Sequence, residues 1–403
     1  MPHRTRQHQN GLSLIELMIS ITLGLLLSTG VIQMFMSSKQ VYTTQEALGR
    51  IQENARFAMA AIKAPLRDIG GFDFCPGVVL IANQLNTLGP GYSAIIFDPN
   101  QPIHGWEYQN TAPAPASPTY ALAGDPLVAA GSATAGQWQD DTGLPLDANF
   151  FTINSKILAG SDVVVVKTAV EMGGLTACNN NLNAVNNEPL NINFPAACPG
   201  GTPPASPFTP ARMAALLPPQ SLVYITNCRG QTDFFQRTDA AVSTATTLSR
   251  ATGGPGPGNA TSLWSIGWAG DAVVSKVNVL AFYVGVGTSG EPALMQLDFG
   301  RGGIGATPRE LVEGVENMQV LYGQSSPTAL NYVTAANVTD WNSVFSVQLA
   351  VLVRSKGQAD AVADNQTYSV GGTNVTPGGA DRRMRRSFVI TVGVRDRISG
   401  RSI

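Results

Sequence analysis

The sequence predicts an α+β chain: a long N-terminal helix, transmembrane then amphipathic, packed on an elaborated antiparallel β-sheet head. Three observations carry that expectation. Leu17 to Ser38 is a run of 22 residues without a charge. Beyond it, apolar residues recur at helical spacing. The remainder is built of short, alternating, β-branched segments parted by Gly- and Pro-rich stretches.

At about 1.5 Å per residue the uncharged run makes roughly 33 Å of helix, enough to cross a hydrocarbon core of about 30 Å. The preceding residues, Met1 to Gly11, hold Arg4 and Arg6 and no acid. Positive charge favours the cytoplasmic side, so the C-terminal part is expected outside the inner membrane. No Ala-x-Ala cleavage site follows Phe35, so the cut is expected before the apolar run, which then stays as an anchor. The helical pattern continues through Val41, Leu48, Ile51, Ala55, Ala58, Ile62, Leu66 and Ile69. Gln45, Glu46, Arg50, Glu53 and Arg56 fill the other faces. The spacing predicts one helix from about Leu12 to about Ile69, stopped at Gly70-Gly71, with Pro65 kinking or interrupting its last turns.

Glu16 is the costly residue of this segment. A carboxylate in hydrocarbon costs about 2.5 kcal/mol or more, so it calls for a partner. Cleavage after Gly11 would create an amine on Leu12, but the helix points that amine away from its own Glu16 side chain. A neighbouring subunit shifted along a common axis would offer its amine instead.

Gly11-Leu12-Ser13-Leu14-Ile15-Glu16-Leu17-Met18 resembles the signal of type IV prepilins and type II secretion pseudopilins. The resemblance implies that a prepilin peptidase cuts between Gly11 and Leu12, that Leu12 is N-methylated, and that Glu16 guides assembly. The stretches Ser37 to Gln40, Gln45 to Leu48, Ile51 to Ala58 and Leu66 to Gly71 are similar to the PilW-type minor pilins of type IV pili. So are Tyr224 to Cys228, Leu311 to Gly323, Val347 to Ser355 and Arg386 to Arg395. The long inserts between Asn83 and Ile157 and between Asn179 and Pro219 lie outside the resemblance. The implied organisation is a leader at 1–11, a transmembrane helix half at 12–38, an amphipathic stem at 39–70 and an extracytoplasmic pilin-like head at 71–403. The implied function is that of a minor pilin without an active site, priming type IV pilus assembly at or near the tip. Its implied partners are other minor pilins, the major pilin, a tip adhesin, the prepilin peptidase and, before assembly, the inner membrane. A J-type pseudopilin of a type II secretion system, a membrane-anchored surface adhesin and a membrane-anchored periplasmic enzyme are the competing readings.

Strands are expected over Asp162–Val170, Ser221–Asn227, Asp233–Arg237, Lys276–Val286, Ala293–Phe299, Val315–Tyr322, Val344–Arg354 and Arg386–Val394. The near-continuous apolar pattern of Val277 to Val284 marks a central strand. Gly300-Arg301-Gly302-Gly303-Ile304-Gly305 lacks the Lys-Ser/Thr of a phosphate loop and reads as a hairpin or surface loop. Asn110–Pro118, Asn179–Pro210 and Gly253–Gly258 read as exposed loops.

The 403 residues suffice for a large core, and the net charge of −2 gives no electrostatic reason to expect nucleic acid. Charged residues make up only 13% of a chain with 42 glycines and 26 prolines, which suits an extracytoplasmic, loop-rich β protein. Of three histidines, His3 and His8 lie in the leader, so a Ser-His-Asp triad would need His104. That residue sits in Pro102-Ile103-His104-Gly105-Trp106, read as a turn, and Ser161-Asp162 reads as an ordinary turn or strand-entry pair. Asp140-Asp141-Thr142-Gly143 with Asp147 has carboxylates for calcium but misses the EF-hand spacing. No catalytic residue, cofactor or metal is assigned. Cys75, Cys178, Cys198 and Cys228 argue for two disulfides with three possible connectivities, Cys178–Cys198 with Cys75–Cys228 preferred. Four thiolates on zinc would need tighter paired spacing. Finally, Arg382, Arg383, Arg385, Arg386, Arg395, Arg397 and Arg401 crowd the C-terminus. They read as a solvated strand edge, or as a docking patch for an acidic partner.

Overall fold

A computed structural model of the chain describes residues 13–70, 81–124, 126–152, 156–177, 190–193, 209–227, 230–239, 247–254, 256–268, 272–303, 306–325, 330–379 and 381–394. A single α-helix runs from Leu14 to Arg67, 54 residues and so about 80 Å. Ser13 caps it with extended backbone, and the chain leaves it through Gly70 at φ +74°, a conformation that glycine adopts without a Cβ penalty. Pro65 does not interrupt it: Leu66 is fully buried just after the proline, and the Asp68 N–H still reaches the Ala64 carbonyl at 3.1 Å. The lost donor of one proline is outweighed where both flanking turns are held by packing.

The helix has two halves with different surroundings. Residues 13–42 are exposed all round. From Ala47 a stripe of Ile51, Ala55, Ala58, Met59, Ile62, Leu66 and Ile69 is buried on the head. The predicted stripe began at Val41, but Val41 is 53% exposed, because the head does not reach back that far. Gln45, Glu46, Arg50, Glu53 and Arg56 all face out, as their spacing requires.

Among the described residues the head contains three sheets, of eleven, four and three strands. The largest is centred on Val273–Val286, which pairs antiparallel with Val163–Ala177 on one side and with Leu222–Thr226 and Pro292–Asp298 on the other. Ile103–Tyr108 continues the sheet beyond Val163–Ala177. The four-stranded sheet runs Leu330–Val333, Val315–Ser325, Val344–Arg354, Arg385–Gly393, antiparallel throughout. The three-stranded sheet combines Tyr368–Val370, Thr373–Thr376 and Tyr120–Ala121. Only two short pairings among the described residues are parallel, Ala82–Asn83 with Thr232–Gln236 and Tyr120–Ala121 with Thr373–Thr376.

All eight expected strands are present, with ends shifted by a few residues or, for Val163–Ala177, extended. Ile103–Tyr108 corrects the turn expected around His104: it is a strand whose six residues are all buried. Gly105 explains why it was hidden, since a Cβ there would lie 1.9 Å from the Tyr322 hydroxyl. The glycine that broke the strand pattern is what allows the close approach. The 300–303 stretch is a turn, as expected. The Gly253–Gly258 loop is not wholly exposed, because Pro257 and Gly258 are buried. Residues 178–189 and 194–208 lie outside the described residues.

The central strands alternate between two cores. Val164, Val166, Phe282, Val284 and Val286 face the stem helix and the four-stranded sheet. Val163, Val165, Val277, Val279, Ala281 and Tyr283 face Trp106, Trp138, Phe150 and Phe299. Such burial on both faces produces the near-continuous apolar runs seen in the sequence. The chain passes from the large sheet to the small one at Gly314, φ +89°, where a Cβ would meet the Arg354 carbonyl at 2.9 Å.

Truncating the seat should separate the halves of the helix. Ile62→Ala, in the fully buried stripe, is expected to cost about 2–5 kcal/mol in thermal or urea unfolding of the purified protein. Phe57→Ala, at a side chain 58% exposed, should stay within about 0.5 kcal/mol. Equal effects would show that the stripe does not hold the helix.

Candidate functional site

The first candidate site is the free helix half. It is long and apolar enough to cross a membrane, and none of its apolar stretch is buried in the head. Leu14, Ile15, Leu17, Met18, Leu26, Leu27 and Phe35 are each at least half exposed. Glu16 sits in the first turn, where the positive end of the helix dipole favours a carboxylate. Gly11 and Leu12 lie outside the described residues, as do Cys75, Cys178, Cys198 and Cys228.

The helix seat is secured by polar bonds as well as by burial. The Asn54 side chain donates to the Glu313 carbonyl at 2.9 Å, and Gln40 donates to the Ala359 carbonyl at 2.8 Å. Behind Glu313, a network of ions ties the last strand to the sheet. Arg354 and Arg385 stand directly opposite each other across the strand pair, an unfavourable juxtaposition of like charges. Glu316 bridges them: its Oε1 accepts from Arg354 at 2.7 Å, and both its oxygens accept from Arg385, at 2.7 and 3.1 Å. Asp364 and Asp381 complete the Arg385 shell, while Glu291 joins Arg354 to Arg383. The hydrogen-bonded carboxylates around Arg385 raise its pKa further, against the opposing effect of burial. This corrects both sequence readings of the arginine cluster for Arg383 and Arg385. They are structural ions, nearly or partly buried, and the pattern of alternation could not reveal which arginines point inward. Arg382 and Arg386 are exposed, and Arg395, Arg397 and Arg401 lie outside the described residues.

A second polar centre joins the two larger sheets. Asp162, fully enclosed at the start of its strand, accepts from the Tyr108 N–H at 3.1 Å and the Val320 N–H at 2.8 Å. Ser161 Oγ accepts from the Met318 N–H at 3.2 Å, and Gln319 donates to the Gly160 carbonyl at 2.9 Å. Ser161 and Asp162 stand at a strand entry, one of the two places the sequence allowed, and they also stitch one sheet to the other. Glu107 lies against Asp162; burial and the Asp162 charge raise it well above the usual carboxyl range, and burial pushes Asp162 up to about 7. Lys167, fully buried, donates to the Ile95 and Gln101 carbonyls at 2.6 Å each, and burial lowers it to about 7.

A third centre surrounds His104. The ring is 3% exposed and packs on Trp341 at 4.4 Å and on Trp106 at 5.1 Å between centroids. Its Nε2 lies 3.3 Å from Asp140 Oδ2, and Asp141 accepts from Trp341 Nε1 at 2.8 Å. No serine hydroxyl bonds to His104 among the described residues, so no triad assembles there. Asp147 is not part of the group; it accepts from the Asn149 N–H at 2.8 Å.

The Glu107–Asp162 pair makes stability pH-dependent in a stated direction. Carboxyls whose folded pKa is raised contribute stability that is complete below their unfolded pKa of about 4 and is lost as pH rises through the folded value. Glu107→Gln removes one charge from the pair. Its stability relative to wild type should therefore increase by about 1 kcal/mol or more between about pH 5 and pH 8. Thermal unfolding at both pH values measures this, and a constant difference would refute the raised pKa of the pair.

Comparison with known proteins divides along the same lines as the structure. Residues 281–396 match the family described as Type IV Pilus-assembly protein W. Residues 6–32 match the Prokaryotic N-terminal methylation motif. No curated protein matches the sequence. Among solved structures, a type IV-like pilin from Thermus thermophilus is 16% identical, over 30% of this chain and 68% of that one, with a TM-score of 0.20. The PilW match takes in the four-stranded sheet that seats the helix and the whole arginine–glutamate network. The methylation motif takes in most of the free apolar half. The two family matches bear out the resemblance read from the sequence over the residues they cover: the chain carries a prepilin-type methylation motif at its N-terminal helix and a PilW segment at 281–396.

Proposed function

We propose that the chain is a minor pilin that primes type IV pilus assembly and resides at or near the pilus tip. One observation carries this reading: an apolar helix half with no partner in its own head, continuous with a second half firmly seated on a PilW sheet. An apolar surface of this length is unstable in water and needs a membrane or the helices of other pilins. Before assembly the helix is anchored in the inner membrane with the head on the periplasmic side. During assembly it moves into a bundle of similar helices without unfolding the head, since residues 13–39 are exposed all round and the polar contacts that seat the helix start at Gln40.

Glu16 gives the assembly step its register. In the membrane its charge is costly, and among packed helices the amine of a neighbour's Leu12 offsets that cost. Of the residues between the two family matches, 33–280, those beyond the helix enlarge the head well past the PilW sheet. Such bulk is easier to place at an end than in a repeating shaft, which supports a tip position beside other minor pilins and a tip adhesin.

Processing is tested by N-terminal sequencing or intact mass of the mature protein, which should begin at Leu12 with a methylated amine. A mature chain that starts at Met1, or one cut beyond Phe35, would end the prepilin reading. Assembly is tested by Glu16→Ala. The variant should reach normal membrane abundance, since its helix is more apolar, while less of it is recovered in sheared pili and fewer pili form per cell. Unchanged incorporation and piliation would remove the role assigned to Glu16.

A further inference from the structure

His104 is an anomaly among the buried polar groups of the head. Neither ring nitrogen has a hydrogen-bond partner among the described residues. A buried imidazole whose Nδ1 has no partner and whose Nε2 only approaches a carboxylate calls for an explanation. Its Nε2 nonetheless lies 3.3 Å from Asp140 Oδ2, close but without hydrogen-bond alignment. A carboxylate oxygen of Asp141 completes a group whose three ligand atoms all lie within 4.8 Å of one another.

We propose that His104, Asp140 and Asp141 form a binding site for a divalent transition metal of the zinc type. Zn²⁺ bonds imidazole nitrogen and carboxylate oxygen at about 2.0–2.2 Å, which sets tetrahedral donors about 3.3–3.5 Å apart. The His104–Asp140 separation already has that value. Asp141 is half-buried, and its carboxylate pivots about the Trp341 contact to close the remaining distance. One imidazole and two carboxylates suit zinc or manganese better than calcium, which takes six or more oxygens.

The surroundings hold the donors in place. Asp140 Oδ1 accepts from the Thr142 N–H at 2.9 Å, the Thr142 hydroxyl at 2.8 Å and the Leu144 N–H at 2.7 Å. Its Oδ2 is thereby left for His104 and the metal. Asp141 Oδ1 is oriented by Trp341 Nε1. Such outer contacts fix a ligand's direction and raise its basicity. Lys167 is the nearby cation that acts on His104, and its ammonium is held on the Ile95 and Gln101 carbonyls. Thr142, Gly143 and Leu144 are exposed beside Asp141, which gives an ion a route from solvent and leaves the fourth coordination position for water. A bound ion would clamp the Ile103–Tyr108 strand to the 140–144 turn, which follows the Trp138–Gln139 strand already paired with it at Glu107–Gln139 and Tyr108–Trp138. All three ligands fall outside both family matches, so the site belongs to this head and not to the PilW sheet.

The test uses the full chain, purified in detergent and stripped with a chelator. Titration with Co²⁺ should give one equivalent of binding with visible ligand-field bands and no thiolate-to-metal charge transfer. Zn²⁺ should displace the cobalt and raise the Tm, increasingly so as free Zn²⁺ rises above its Kd. Asp141→Asn keeps the acceptor for Trp341 and removes the charge. It should weaken binding about tenfold or more while leaving the metal-free Tm unchanged. His104→Gln should do the same to binding. Thiolate bands would place the metal on the cysteines and overturn the proposal, as would no stoichiometric binding or equal affinity in Asp141→Asn.

Discussion

Everything else in this molecule depends on the seat of one helix. A helix of 54 residues is too long for a single environment here, and the head covers only its second half. Ile51, Ala55, Ala58, Ile62 and Leu66 recur at three and four residues, so they make one stripe, and the four-stranded sheet with its neighbours supplies the surface that accepts it. Alanines at two of those positions let the backbone of the helix approach the strands closely. The first half then projects with nothing to bury it, and that geometry demands a second solvent.

The head meets the resulting load with ions instead of additional apolar contacts. The last strand, Arg385–Gly393, lies under the helix and at the edge of its sheet, where strands are weakest. It begins at Arg385, which is bound by Glu316, Asp364 and Asp381. Buried ions of this sort are costly to desolvate, and removal of one partner is more costly still. The network thus specifies where the strand must start more than it adds to stability. Asp162 acts similarly between sheets, since its two oxygens accept backbone N–H groups from different sheets and leave it one place to sit.

The division between matched and unmatched sequence has a physical counterpart. The methylation motif and the PilW segment supply the free helix and its platform. The intervening residues build most of the large sheet, including the second core around Trp106, Trp138 and Phe150 and a third around Trp264 and Trp268. These cores lie on surfaces that the helix does not use, so that part of the head is free to vary without disturbing the seat.

The sequence by itself determined the helix, its two characters, the place of Glu16 at the head of the apolar half and eight strands of the head. These are local properties: charge, period and β-branching are written residue by residue along the chain. The tertiary structure alone decided which polar residues meet. His104 stands 36 positions from Asp140, and Glu316 stands 69 from Arg385, so neither pairing leaves a mark on spacing. Gly105 shows the same limit from the other side. In the sequence it reads as a break, and only the Tyr322 hydroxyl packed above it reveals a strand that needs a residue without a Cβ. Long-range contacts are selected by how sheets stack and where the chain crosses between them, and that information resides in the packing of the whole head.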